Sequence, residues 1–170
     1  MGKVNMSTSS ISQIQEAIAK AYGDLSEPDF SFVQRTYEKR PYGDLLVALQ
    51  ADVAVEENTD LNDDVCVSLL LSGSGRRWSL FLSLIGRYAA FMRVDSRGVC
   101  DLLAQGVSDL SKIEEKILEK LAMCSVEPLG ADMLNTPIQL RLQNADAQDV
   151  CLFQALFTDC EVLPWEASVK

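Results

Sequence analysis

Histidine is absent from all 170 residues. That absence removes Ser-His and Cys-His nucleophile pairs, histidine-containing metal sites and the commonest general base. An enzyme built on this chain would have to use carboxylates, lysine, tyrosine, an oxygen-held metal or a cofactor. No CxxC pair occurs among the five cysteines, Cys66, Cys100, Cys124, Cys151 and Cys160. Neither a zinc ribbon nor a dithiol redox motif can therefore be read. No GxxxxGK[ST] phosphate loop is present. The longest apolar stretch, residues 80–94, is interrupted by Ser83, Gly86, Arg87 and Arg93, and is too short and polar to span a bilayer. Residues 1–10 are small and polar and hold no apolar signal core; residues 1–8 are expected to be disordered.

What is plentiful is acid. Asp and Glu number 25 against 15 Lys and Arg, a net charge of −10, and both halves of the chain are negative. A negative field repels phosphate backbones and anionic membranes, so neither nucleic acid nor membrane is an expected partner. It steers in basic proteins, and it also serves solubility alone. An odd cysteine count, with most cysteines among apolar neighbours, favours a reducing compartment and hence the cytoplasm. With 48% apolar residues, the chain suits one globular domain over 1–170.

Periodicity supplies the elements. Residues 9–22 read as a helix capped by Ser10 or Ser12 with Gln13 or Gln15, carrying Ile11, Ile14, Ile18 and Ala21 or Tyr22, and stopped by Gly23. Residues 24–41 read as a loop with one short turn of structure. Residues 45–55 alternate with Leu45, Val47, Leu49, Val53 and Val55 on one face, the period of a half-buried strand. An acidic loop, residues 56–64, follows. Further alternating runs are Val65 to Leu71, Trp78 to Leu84 and Tyr88 to Val94. Gly73-Ser74-Gly75 marks a turn between the first two, and Gly86 a turn or bulge between the others. Residues 108–124 form the clearest helix, with Leu110, Ile113, Ile117, Leu121 and Cys124 as its stripe. Ile138, Leu140 and Leu142 suggest another strand. Residues 147–157 fit either a helix with Phe153, Leu156 and Phe157 inward or a doubly buried strand, with the strand favoured. Leu163-Pro164-Trp165 reads as an arm anchored by Trp165. The expected fold is α+β, an antiparallel meander packed by two or three helices.

Candidate chemistry is sparse. Ser72-Gly73-Ser74-Gly75-Arg76-Arg77 reads as a hairpin turn, with an anion site as the alternative. Asp60-Leu61-Asn62-Asp63-Asp64 resembles the start of a calcium loop. It fails where glycine and glutamate are required, because Val65 and Leu71 stand there. Glu56/Glu57 and Glu114/Glu115 read as solvated pairs rather than as carboxylates facing each other across a cleft. Trp78 with Arg76, Arg77 and Arg87 forms a candidate interface anchor, set against a core role for the indole. The expected partner-binding residues are Glu56, Glu57, Asp60, Asp63, Asp64, Arg76, Arg77 and Trp78. No cofactor or metal is expected.

Two segments carry a resemblance. Residues 78–88, WSLFLSLIGRY, and 156–165, LFTDCEVLPW, resemble small acidic bacterial immunity proteins. That resemblance implies a non-catalytic protein that covers a basic toxin. The order helix, three strands, helix, strands is similar to class I type III secretion chaperones, which implies an acidic homodimer. A third reading is a small-ligand binder, or an enzyme with a site free of histidine, between sheet and helices.

Overall fold

The computed structural model describes residues 9–97, 100–104, 107–142, 150–160 and 163–165. The expectations for 1–8 and for 147–149 lie outside them. Twelve elements follow in order: α1 (Ile11–Tyr22), α2 (Phe32–Glu38), α3 (Gly43–Gln50), β1 (Ala54–Glu57), β2 (Cys66–Gly73), β3 (Arg76–Ser83), β4 (Tyr88–Val94), β5 (Cys100–Leu103), α4 (Lys112–Met123), β6 (Glu127–Pro128), α5 (Ala131–Leu134) and α6 (Leu152–Leu156). The chain is thus α+β, with a mostly antiparallel open sheet packed by helices. Among the described residues there are six short helices where two or three were expected, and none is long and apolar enough to cross a membrane.

Strands β1 to β5 form the meander in sequence order, and β6 adds in parallel beside β4. The β2–β3 hairpin turns on Ser74 (φ 51°) and Gly75 (φ 74°), both left-handed. That pair of angles matches the right-handed twist of the flanking strands, and only glycine adopts it without a steric cost. Gly86 lies in the turn between β3 and β4 rather than in a bulge.

Cross-strand register sorts the faces, since partners share a side and neighbours alternate. Leu69, Leu71, Trp78, Leu80 and Phe91 fall on one face. It is covered by α3, through Leu45 and Leu49, and by α4, through Ile117 and Leu121. Lys120 of α4 fastens these two helices by donating to the Ala48 carbonyl (2.6 Å) and the Asp52 carboxylate. Phe81 lies on the opposite face and packs on Phe153 and Phe157 at the α6 end, with ring centroids 6.1 and 6.4 Å away. Helix α1 joins that side: Tyr22 donates its hydroxyl hydrogen to the Ala155 carbonyl at 2.7 Å. Its start is closed by the Ser10–Gln13 capping box, as the sequence suggests, and Gly23 ends it at φ 75°.

Four expectations fail. Residues 45–50 are helical, not the first half of a strand; only Ala54–Glu57 is extended. The run Leu-Leu-Val-Ala-Leu-Gln satisfies both periods, but a strand would turn Val47 inward with Leu45 and Leu49. Val47 is instead 70% exposed, while Leu45 and Leu49, one helical turn apart, are buried. Within the expected loop 24–41, α2 forms because Phe30 and Phe32 set their ring edges on Tyr22, each at 5.3 Å, and Val33 is buried. Residues 138–142 make no ladder: Ile138 bonds Val150 and Arg141 bonds Leu25, two unrelated segments. Residues 152–156 form a helix rather than a strand, with Phe153, Leu156 and Phe157 inward as the alternative reading had it. In addition β5, unread in the sequence, extends the meander.

Candidate partner-binding surface

Among the described residues strand β1 is one edge of the sheet, paired only with β2. Its residues are exposed apart from the half-buried Val55. The Asn58 amide donates to the Ser68 carbonyl at 2.9 Å. Since antiparallel ladders alternate, the backbone groups of Glu56 and Ala54 turn towards β2, and those of Val55 and Glu57 turn outwards. Glu56 and Glu57 point to opposite faces of the strand. They therefore cannot act as facing acid and base. The Glu57 carboxylate accepts from the Tyr37 hydroxyl of α2, and that bond holds the phenol above its usual pKa.

Beyond β1, the loop 58–65 is fixed by its own carboxylates. The Asp60 side chain accepts from the Asn62 amide at 3.0 Å. The Asp64 side chain accepts from the Asp60 amide and from the Thr158 hydroxyl, both at 2.8 Å. Backbone bonds from Val65 to Phe157 and from Asp159 to Asp63 dock the loop on the segment after α6. Asp60 and Asp63 stay exposed, while Asp64 is half-buried. Burial pushes the Asp64 carboxyl above the usual carboxylate range; its hydrogen bonds pull the other way, and the charges of Asp60 and Asp63 add to the rise.

The stretch of chain that forms this edge carries one sign of charge. Residues 41–75 hold seven acids, Asp44, Asp52, Glu56, Glu57, Asp60, Asp63 and Asp64, and no Lys or Arg. Among them Asp52 pairs with Lys116 and Lys120. The Lys120 hydrogen bond is the main reason its carboxyl is held low. This base-free run is readable in the sequence and is the signal that joins the expected acids to one edge.

The remaining expected residues lie elsewhere. Arg76 and Arg77 begin β3 at the hairpin tip, across from Gly73 and Ser72. The acidic loop enters β2 at its other end, eight residues or about 25 Å away. Arg87 sits at the β3–β4 turn, also far from the tip. There it donates to the Pro41 and Cys124 carbonyls (3.1 and 2.6 Å) and lies over the Tyr42 ring. Trp78 is fully buried, so it is a core residue and presents no surface to a partner. The interface anchor of Trp78 with three arginines is therefore not assembled.

Glu114 is a second correction. The pattern of the sequence makes it a solvated neighbour of Glu115, yet it is completely buried. Its carboxylate accepts from the Trp78 indole (2.8 Å), from Arg93 Nε and Nη2 (2.8 and 2.6 Å) and from the Ser111 amide (2.9 Å). Burial alone would raise its pKa. The Arg93 and Ser111 hydrogen bonds, with the indole and the guanidinium charge, outweigh burial and bring it down to about 2. The same bonds push the Arg93 guanidinium up. The clue in the sequence was Ser111-x-x-Glu114, a capping box that turns its glutamate back onto the helix start. This cluster holds α4 to the sheet, and its carboxylate is closed off from solvent.

Among the described residues, no three His, Cys, Asp or Glu side chains are grouped to hold a metal ion. The chain matches no protein-family model, no curated protein and no solved structure. What the edge offers chemically is a fixed negative potential beside outward-facing backbone groups.

Proposed function

We infer that the chain is a non-catalytic binding protein of the cytoplasm whose β1 edge engages a basic protein partner. The observation that carries this reading is the acid-only run over residues 41–75, with Glu56, Glu57, Asp60 and Asp63 exposed along one edge. Carboxylates arranged this way speed encounter with a basic surface and select against acidic ones. The loop is already tied down, so little ordering cost attends its use. An immunity protein that covers a basic toxin would act by this means, and it fits the likeness of residues 78–88 and 156–165 to that class.

Capture of partners from the producing cells at low salt tests the reading. The expected result is one basic protein, retained by the parent chain, released by moderate salt and lost when Glu56, Glu57, Asp60 and Asp63 are all changed to Lys. Equal retention by the charge-reversed chain would overturn it.

A further inference from the structure

We propose that the hairpin tip forms a second, separate site, a pocket for a small oxyanionic molecule carrying a phosphate or carboxylate group. A cavity of about 360 Å³ opens where β3, β4 and β5 end, and Arg76, Arg77, Arg93, Asp95, Ser96 and Asp101 line it. That volume falls in the range of small-molecule sites and exceeds what a bare ion needs. Arg76 and Arg77 are adjacent on an extended strand, so they leave its two faces, and both reach the cavity because it wraps the strand end.

Their side chains make no hydrogen bond or ion pair with any described residue, although the chain carries ten excess acids. The third guanidinium, Arg93, is spoken for. It grips the buried Glu114 at 2.6 Å and reaches Asp109 at 3.6 Å, and so serves as a fixed wall. The acids on the wall are unequal. Asp95 accepts from the Arg97 amide (2.8 Å) and pairs with the Arg97 guanidinium (3.4 Å). Asp101 stands across from Arg93 in register, exposed, and opposes an incoming anion. Two unpaired planar forks beside a turn suit bidentate capture of a phosphate or carboxylate, and the opposing aspartate sets the affinity low.

The experiment is an amide NMR titration of the full chain at low ionic strength with three probes: inorganic phosphate, phenyl phosphate and citrate. Saturable shifts confined to residues 75–77, 93–96 and 101 are expected, tighter for phenyl phosphate or citrate than for bare phosphate, and the better of the two identifies the ligand class. Arg76→Gln with Arg77→Gln should weaken binding at least about tenfold, and Asp101→Asn should strengthen it about threefold, the effect of one screened charge at a few ångströms. All three side chains are exposed, so the fold is not at stake. Shifts that never saturate, or that persist unchanged in the double variant, would overturn the proposal. The site lies at the opposite end of the hairpin from the acidic loop 58–65 and uses none of the acids of the β1 edge, so its failure leaves the proposed function standing.

Discussion

Replacing Glu114 by Gln should destabilise the protein by about 2–3 kcal/mol at neutral pH, and the loss should shrink as the medium is acidified. Two routes give that magnitude. Breaking a buried ion pair costs roughly 3–5 kcal/mol, but Arg93 keeps a quarter of its side chain in solvent and retains Asp109, which lowers the figure. Independently, a carboxyl held at about 2 instead of 4.5 contributes roughly 3 kcal/mol before screening, at about 1.4 kcal/mol per unit. The sign follows from a folded pKa below the unfolded one. The contribution is complete above about pH 5 and fades as pH falls towards 2. Glutamine also turns an amide N–H at the Trp78 indole and Arg93, donors that need an acceptor. Urea unfolding followed by far-UV circular dichroism at pH 7 and at several acid values measures the effect, with Glu115→Gln, an exposed neighbour, expected within about 0.5 kcal/mol of the parent. A Glu114→Gln chain as stable as the parent at pH 7, or a deficit that does not change with pH, would refute the network described here.

Val47→Asp should change stability by less than about 0.5 kcal/mol while Leu49→Ala costs about 2–5, because only a helix exposes one and buries the other; thermal unfolding of both variants checks this. Gly75→Ala should cost about 1 kcal/mol, since its φ of 74° is unfavourable for alanine, and Ser74→Gly should gain up to about 1; denaturant midpoints decide both. Affinity for the basic partner should fall at acid pH as Asp64 takes up its proton above the usual carboxylate range, and Asp64→Asn should flatten that part of the profile; calorimetric titration across pH 4–7 reads it.

How much of this was legible depended on whether a local pattern had one interpretation. The Ser10–Gln13 capping box marks a real helix start, and Gly73-Ser74-Gly75 marks a real two-residue turn, because each satisfies a stereochemical need that few sequences meet; the expected helix over 108–124 starts later, at Lys112, where Ser111 and Glu114 close a second box. Residues 45–50 are ambiguous because three leucines and a valine fit periods of 2 and 3.6 equally, and only packing against α4 decides between them. Residues 152–156 are buried all round, so no period survives to identify a helix. Residues 138–142 alternate but pair with no strand among the described residues. At the candidate site, the acids were readable one by one, and their shared edge was not, since it required knowing that 45–50 is helical and β1 short. Glu114 was hidden because a charge beside another charge looks solvated until Trp78 and Arg93 are seen to face it.

The proposed function requires the β1 edge to be a contact surface. Hydrogen–deuterium exchange of the chain with its captured partner bound measures that directly. Added protection at Val55 and Glu57 and across residues 58–64, lost in the charge-reversed edge, is the predicted outcome. Protection appearing only at other surfaces, with the edge exchanging as in the free chain, would contradict it.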